Sequence, residues 1–259
     1  MLFSGGRAIL LSVPLGSGNV AIRLPRSNSV RFLPVAVSKV RPCREPRDVA
    51  SNLERYLTER EPTARYASFD YCYNYFQTYR ERANVSAVAA TANMELSCLH
   101  LGFYLASWGM LRGSTDLLQR SIKHLEPVVT AIAGAPPALW EIDANDYSDE
   151  VWATLGGFNA DLCAILSGNA SDTLTTKIML GIFGCVPAFD TNFVRGAGVW
   201  KFSQTALRRV ELFYREHAEV IERYRQPTLD FATNGNTHRK YTRAKVIDMI
   251  FFVEGAASS

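Results

Sequence analysis

The sequence predicts an all-α protein: a single globular multi-helix domain over residues 45–255, behind a basic N-terminal extension, residues 1–44. Three observations predict it. From Arg44 onward, apolar residues recur at the three- and four-residue spacing of a helix, segment after segment. Glycine, proline and short oxygen-bearing side chains stand between those segments, in the order that stops one helix and starts the next. The composition is that of a soluble globule: of 259 residues, 47% are apolar and 20% charged, enough to bury a sizeable core.

The net charge of +3 hides an asymmetry. Residues 1–44 hold seven basic residues (Arg7, Arg23, Arg26, Arg31, Lys39, Arg41 and Arg44) and no acid. Taking those seven from the 28 Lys and Arg leaves 21 against 25 acids, so residues 45–259 carry about −4. The helical part therefore has no overall field to hold a nucleic acid, and such binding needs a local patch. The five cysteines are odd in number, widely spaced and without a CxxC pair. That pattern indicates neither a zinc knuckle nor a disulfide framework, and predicts reduced thiols in a cytoplasmic protein.

The extension is punctuated by glycine and proline, and its β-branched runs at 8–13, 19–24 and 30–37 could pair as a small ribbon. We expect it to be poorly ordered. An acid-free, Arg- and Ser-bearing start also fits organellar targeting, or a start assigned too far upstream. Its apolar stretch is too short for a signal peptide. Residues 16–21 match a loose GxGxxA dinucleotide turn, but Pro25 follows where a helix N-terminus would have to receive the pyrophosphate.

Val49, Leu53 and Leu57 predict a first helix that ends before Pro62. Residues 66–82 predict a second, with Phe69, Cys72, Tyr73 and Phe76 on one face and Tyr71, Tyr75 and Tyr79 in another row; this is a helix packed on two sides rather than a stacking surface for bases. Residues 96–111 (LSCLHLGFYLASWGML) are apolar all round, too short and polar to span a bilayer, and predict the buried central helix, with His100 as a core residue. Gly113 is expected to end it. A following helix from Leu117 to Ile132 would kink at Pro127. Arg112 at this junction could bind a phosphate or carboxylate, or tie down the last carbonyls of its own helix.

The acidic run at 141–150 fails the Ca²⁺-loop template and reads as the start of an amphipathic helix over 151–166. Residues 201–225 predict one long surface helix with Glu211–Arg215 and Glu219–Arg223 pairs on a solvated face. Residues 233–245 read as a polar loop with the basic cluster His238, Arg239, Lys240, Arg243 and Lys245; the last helix, 244–253, stops at Gly255. Between them, residues 175–193 (TTKIMLGIFGCVPAFDTNF) pin the architecture. Ser171 or Asp172 caps an apolar helix, Gly184 stops it, Pro187 keeps the next residues extended, and Asp190 heads a new segment.

There is no GxxxxGK[ST], HExxH or GxSxG string, and four scattered histidines give no metal or triad pattern, so neither cofactor nor metal is expected. The string Val186-Pro187-Ala188-Phe189-Asp190-Thr191-Asn192-Phe193 resembles the segment of helix-hairpin-helix DNA glycosylases in which an apolar helix leads to an aspartate heading the next helix. The final-helix core Ile247-Asp248-Met249 is similar as well, and the strings LASWGMLRG and LGIFGCVPAFD resemble an uncharacterised bacterial helical family. The resemblance implies orthogonal helix packing, Asp190 at the catalytic carboxylate position, and Lys177 near the position of the nucleophilic lysine of bifunctional members. The family's glycine hairpin is replaced by Ser167-Gly168-Asn169-Ala170-Ser171-Asp172-Thr173.

Two functions follow. The first is a nucleic-acid-associated protein on a glycosylase-like scaffold without retained activity, using Asp190, Arg112, Lys177, Arg239, Lys240 and Arg243. The second is a non-catalytic helical interaction module or subunit with a protein partner. The first needs the cations to gather beside Asp190; the second lets them scatter. Asp190 itself is expected to act as a helix cap, a role in which asparagine replaces aspartate at little cost.

Overall fold

A computed structural model of the chain describes residues 19–21, 32–34, 40–113, 116–166 and 170–258. It divides into two compact units, Met1–Lys39 and Val40–Ser259. In the first, β1 (Asn19–Ala21) pairs antiparallel with β2 (Phe32–Pro34), Val20 opposite Leu33. These strands fall within two of the three runs that offered a ribbon; the run at 8–13, and residues 16–18 of the GxGxxA string, lie outside the described residues.

The second unit is a mostly helical globular domain with orthogonal helix packing. In order it holds α1 (Val49–Thr58), α2 (Ala67–Glu81), α3 (Thr91–Ser107), α4 (Glu126–Ala133), α5 (Asp149–Ile165), α6 (Asp172–Phe183), α7 (Thr191–Ala197), α8 (Gln204–Glu216) and α9 (Ala218–Arg223). A hairpin of β3 (Pro227–Leu229) and β4 (Asn236–Lys240) follows, and α10 (Arg243–Ala257) closes the chain. Most starts follow local capping chemistry. Asp48, Ser148, Ser171, Asp190, Ser203 and Thr242 each accept from an amide of the first turn, satisfying donors the helix itself cannot reach.

The centre is α6 and α10, not residues 96–111. Every residue from Leu174 to Phe189 is buried, and every residue from Ala244 to Phe251. In α3 the face of Leu96, Leu99 and Phe103 points outward; an apolar helix surface becomes core only where another element covers it, and none of the described elements covers this one. α10 packs on α7 at backbone distance. A β-carbon on Gly255 would lie 1.9 Å from the Asn192 carbonyl oxygen, and one on Gly196 would lie 2.2 Å from that of Phe251. Gly255 therefore sits inside the last helix as its contact point rather than stopping it.

Three further expectations change. Pro127 opens α4 instead of kinking a longer helix; the residues before it form two 3-10 turns, where proline's missing amide costs nothing. The helix over 201–225 breaks at His217 into α8 and α9, and Glu211, paired with Arg208 and Arg215, is buried rather than solvated. The polar loop at 233–245 is largely the β3–β4 hairpin, whose connection over residues 230–235 is held by Asp230 Oδ1 accepting the amides of Ala232 and Thr233 and passes through Asn234 in the left-handed conformation (φ 57°).

Candidate functional site

The link from α6 to α7, residues 184–190, is buried chain without regular structure, so its backbone groups need partners from elsewhere. Side chains from α2, α6, α10 with its cap, and the loop before α5 supply them, for the link and for the last turn of α6 that leads into it. Gly184 takes the left-handed conformation (φ 67°) that ends α6, and its carbonyl accepts from Thr242 Oγ1 at 2.7 Å. Gln77 from α2 donates to the Ile182 carbonyl at 2.9 Å, and the Tyr147 hydroxyl to that of Cys185 at 2.9 Å. The Ala188 amide donates to Asp248 of α10 at 3.0 Å, and the Phe189 amide to Thr176 Oγ1 at 2.8 Å. Thr173 donates to the Phe189 carbonyl at 3.0 Å. The elbow is thereby a rigid mount, and it carries Asp190.

Asp190 does two things at once. Its Oδ1 accepts the amides of Asn192 and Phe193, both at 3.0 Å, as the cap of α7. Its Oδ2 accepts from Lys177 Nζ at 2.8 Å. The lysine side chain is 4% exposed and the aspartate 15%. The pair stands at one wall of a cleft of about 1090 Å³, whose other walls include Arg65, Tyr66, Trp108, Arg112 and Phe252.

Trp108 organises that opposite side. It caps α3, stacks on Tyr66 at 5.3 Å and meets Phe252 edge-on at 5.4 Å. Three cations approach the indole: Arg65 at 5.3 Å, Lys177 at 5.3 Å and Lys245 at 5.4 Å. Its buried Nε1 has no hydrogen-bond partner among the described residues. Beyond it the chain turns at Gly109 (φ 78°), where a β-carbon would lie 2.9 Å from Arg112 Nε. The glycine thus serves both the turn and the pose of Arg112 folded back over it.

Behind the cleft lies a second, buried pair. Lys245 Nζ donates to Asp248 at 3.0 Å and to the Tyr56 hydroxyl at 2.9 Å, and sits over the rings of Tyr56 and Phe69 at 4.8 and 4.7 Å. Burial first, and the nearby Asp248 charge second, push the Tyr56 hydroxyl well above its ordinary pKa, so it stays a neutral acceptor for the lysine. Asp248 is the buried acid that Lys245 satisfies, and its other oxygen holds the elbow.

The structure thus brings together three of the residues singled out in the sequence, Arg112, Lys177 and Asp190, from the end of α3, from α6 and from the cap of α7. It does not bring the others to them. Arg239 grips Glu81 through Nε at 2.7 Å and Nη2 at 2.6 Å, tying the hairpin to α2. Arg243 binds Glu222 at 2.6 Å and Asp143 at 3.3 Å. Lys240 is exposed on β4 and does not line the cleft. Sequence reasoning missed Arg65, whose only signal was its place beside Tyr66 after the Pro62 turn. Trp108 entered as part of the apolar run 96–111, with no role of its own.

Among the described residues no group of three or more His, Cys, Asp or Glu side chains could hold a metal ion, and no helix is long and apolar enough to cross a membrane. Arg65, Arg112 and Lys177 face a single carboxylate, so the cleft favours an anion, and its aromatic walls favour a flat apolar group beside that anion. Comparison of the chain with protein-family models, with curated proteins and with solved structures found no match.

Proposed function

We propose that this protein is a non-catalytic helical binding module, and that the cleft between Trp108 and the Lys177–Asp190 pair is its recognition site. Its ligand carries a negative charge next to a flat ring, the combination found in a nucleotide. The observation that carries this reading is the arrival of Arg112, Lys177 and Asp190 on one aromatic-walled cleft from distant parts of the chain. The commitment of Asp190 favours binding over catalysis: three donors already take three of the carboxylate's roughly four lone pairs, two of them holding α7 in place. A general base must instead offer a free lone pair to the proton it removes.

A second reading is favoured by the pairing of Lys177 with Asp190 on the segment that resembles the glycosylases. In it the cleft takes one unstacked base of a nucleic-acid strand against Trp108, and Arg65 and Arg112 hold flanking phosphates. Both readings are tested by melting the protein with adenosine monophosphate or with a short single-stranded oligothymidylate. The module reading predicts that the mononucleotide at millimolar concentration raises the melting temperature, that Arg112→Glu abolishes the rise, and that the ligand is recovered unchanged. Stabilisation by the strand alone would favour the second reading. No shift with either probe removes both.

A further inference from the structure

The outward face of α3 is an apolar ridge. Leu96, Leu99 and Phe103, at i, i+3 and i+7, are 48%, 47% and 68% exposed. Seven residues of helix make the ridge about 10 Å long at 1.5 Å per residue. Facing it are Pro62, Tyr71 and the hairpin residue Phe231, which is 76% exposed and packs edge-on to Tyr71 at 5.0 Å. Between the two walls lies a groove of about 600 Å³. Single exposed leucines are ordinary on a protein surface, but large apolar side chains gathered along one groove mark a contact face.

Thr63, His100 and Ser107 also line the groove, but its charge and its unpaired hydroxyl lie at the turn into α2. Arg65 is the one charged residue that lines it, and no carboxylate does. Ser68, 4% exposed, also lines it, and its Oγ has no partner among the described residues. Buried polar atoms are paired in the great majority of cases, so this hydroxyl points to an acceptor that the chain itself does not supply. A guanidinium and a hydroxyl three residues apart, in a groove that no acid lines, select a carboxylate.

We propose that this groove docks an amphipathic helix of a partner protein. The helix lays its apolar face on Leu96, Leu99, Phe103 and Phe231 and sets an aspartate or glutamate against Arg65 and Ser68. The straight ridge has the form into which a second helix packs, its own apolar residues at i, i+3 or i+4, and i+7 filling the groove. A nucleic-acid strand needs cations along its whole length, and this groove has a single one. Arg65 borders both the groove and the cleft, but the apolar anchors Phe103 and Phe231 line the groove alone, so their substitution tests the groove apart from the cleft reading.

The test is selection of a displayed library of helical peptides on the full chain, followed by binding measurements on variants. The enriched peptides should share the apolar spacing with an acid at one end. Phe103→Glu and Phe231→Glu should each weaken them roughly tenfold or more, the loss expected of a central apolar anchor, with the melting temperature unchanged because both side chains are largely exposed. Arg65→Glu should lose these peptides and gain versions in which lysine replaces the acid. The proposal is overturned if no such peptide is enriched or if Phe103→Glu binds the peptides as tightly. It is equally overturned if Phe103→Glu abolishes oligothymidylate binding, or if sedimentation shows a dimer that this substitution splits, since the groove then serves a strand or a second copy.

Discussion

At the scale of the residue, the Lys177–Asp190 pair changes what substitution at Asp190 should do. A helix cap alone tolerates asparagine, as the sequence led us to expect. But Asp190 also partners a lysine whose side chain is 4% exposed, and asparagine keeps the cap while leaving that ammonium without a counter-charge. Breaking a buried pair from one side is costly, and the cleft's access to water softens it, so Asp190→Asn should cost about 2–4 kcal/mol in denaturant unfolding. Asp190→Ala should cost more, by about 1 kcal/mol for the lost cap. Lys177→Met in the Asp190→Asn background should recover part of the loss, giving a coupling of about 1–3 kcal/mol in a double-mutant cycle. Additive losses would mean that the two side chains do not act as a pair. The cap was legible because capping is written within four residues; the pairing was not, because the lysine lies 13 positions away on another helix.

The elements show where local signals stop. The caps of α5, α6 and α7 and the left-handed Gly184 could be read directly, since each depends on adjacent residues. The β3–β4 hairpin could not. Its second strand is polar, and what holds it lies elsewhere: Asp70 accepts the Leu229 amide at 2.8 Å, and Glu81 accepts from Arg239. Hydrogen bonds from Arg239 hold the Glu81 carboxyl below its ordinary pKa of 4.5. The folded value lies below the unfolded one, so the tie is fully present above pH 4.5 and is lost as the pH falls through the folded value. Protection of the hairpin amides relative to their intrinsic exchange should therefore fall as the pH drops below 4.5, and Glu81→Gln should remove that fall; protection that still falls equally in the variant would mean another group holds the hairpin. The α7–α10 contact depends instead on missing side chains. Gly196→Ala and Gly255→Ala should each cost about 1–3 kcal/mol or more, because carbonyl oxygens of the facing helix occupy the place of the new methyl. Wild-type stability in either variant would show that the helices stand further apart.

For the whole molecule, the all-helical class was legible from periodicity, but its centre was not. Residues 96–111, 174–183 and 244–253 are all apolar on several faces, and only packing decides which of them is enclosed. The start of the domain was likewise hidden. Cys43 is buried, the Arg44 amide donates to the Ala197 carbonyl at 2.8 Å, and Arg209 binds the Pro42 carbonyl at 3.0 Å. A chain beginning at Arg47 should be less stable than one beginning at Val40 by about 2 kcal/mol, from the lost burial and hydrogen bonds. Equal melting temperatures would show that residues 40–46 add nothing to the domain. Two of the cations singled out in the sequence, Arg239 and Arg243, are spent on holding the fold together, whereas Arg112 and Lys177 reach the cleft from separate elements. No local motif announces such a convergence, because it arises only when α3, α6 and α7 are packed.

The central claim, that this cleft is the recognition site, is tested most directly by calorimetric titration of adenosine monophosphate into the wild type, Arg112→Ala and Arg239→Ala. Both arginines are cations of the same domain, but only Arg112 lines the cleft. The account predicts saturable binding to the wild type and to Arg239→Ala, and loss of that binding in Arg112→Ala. Binding that survives in Arg112→Ala, or that falls equally in both variants, would contradict it.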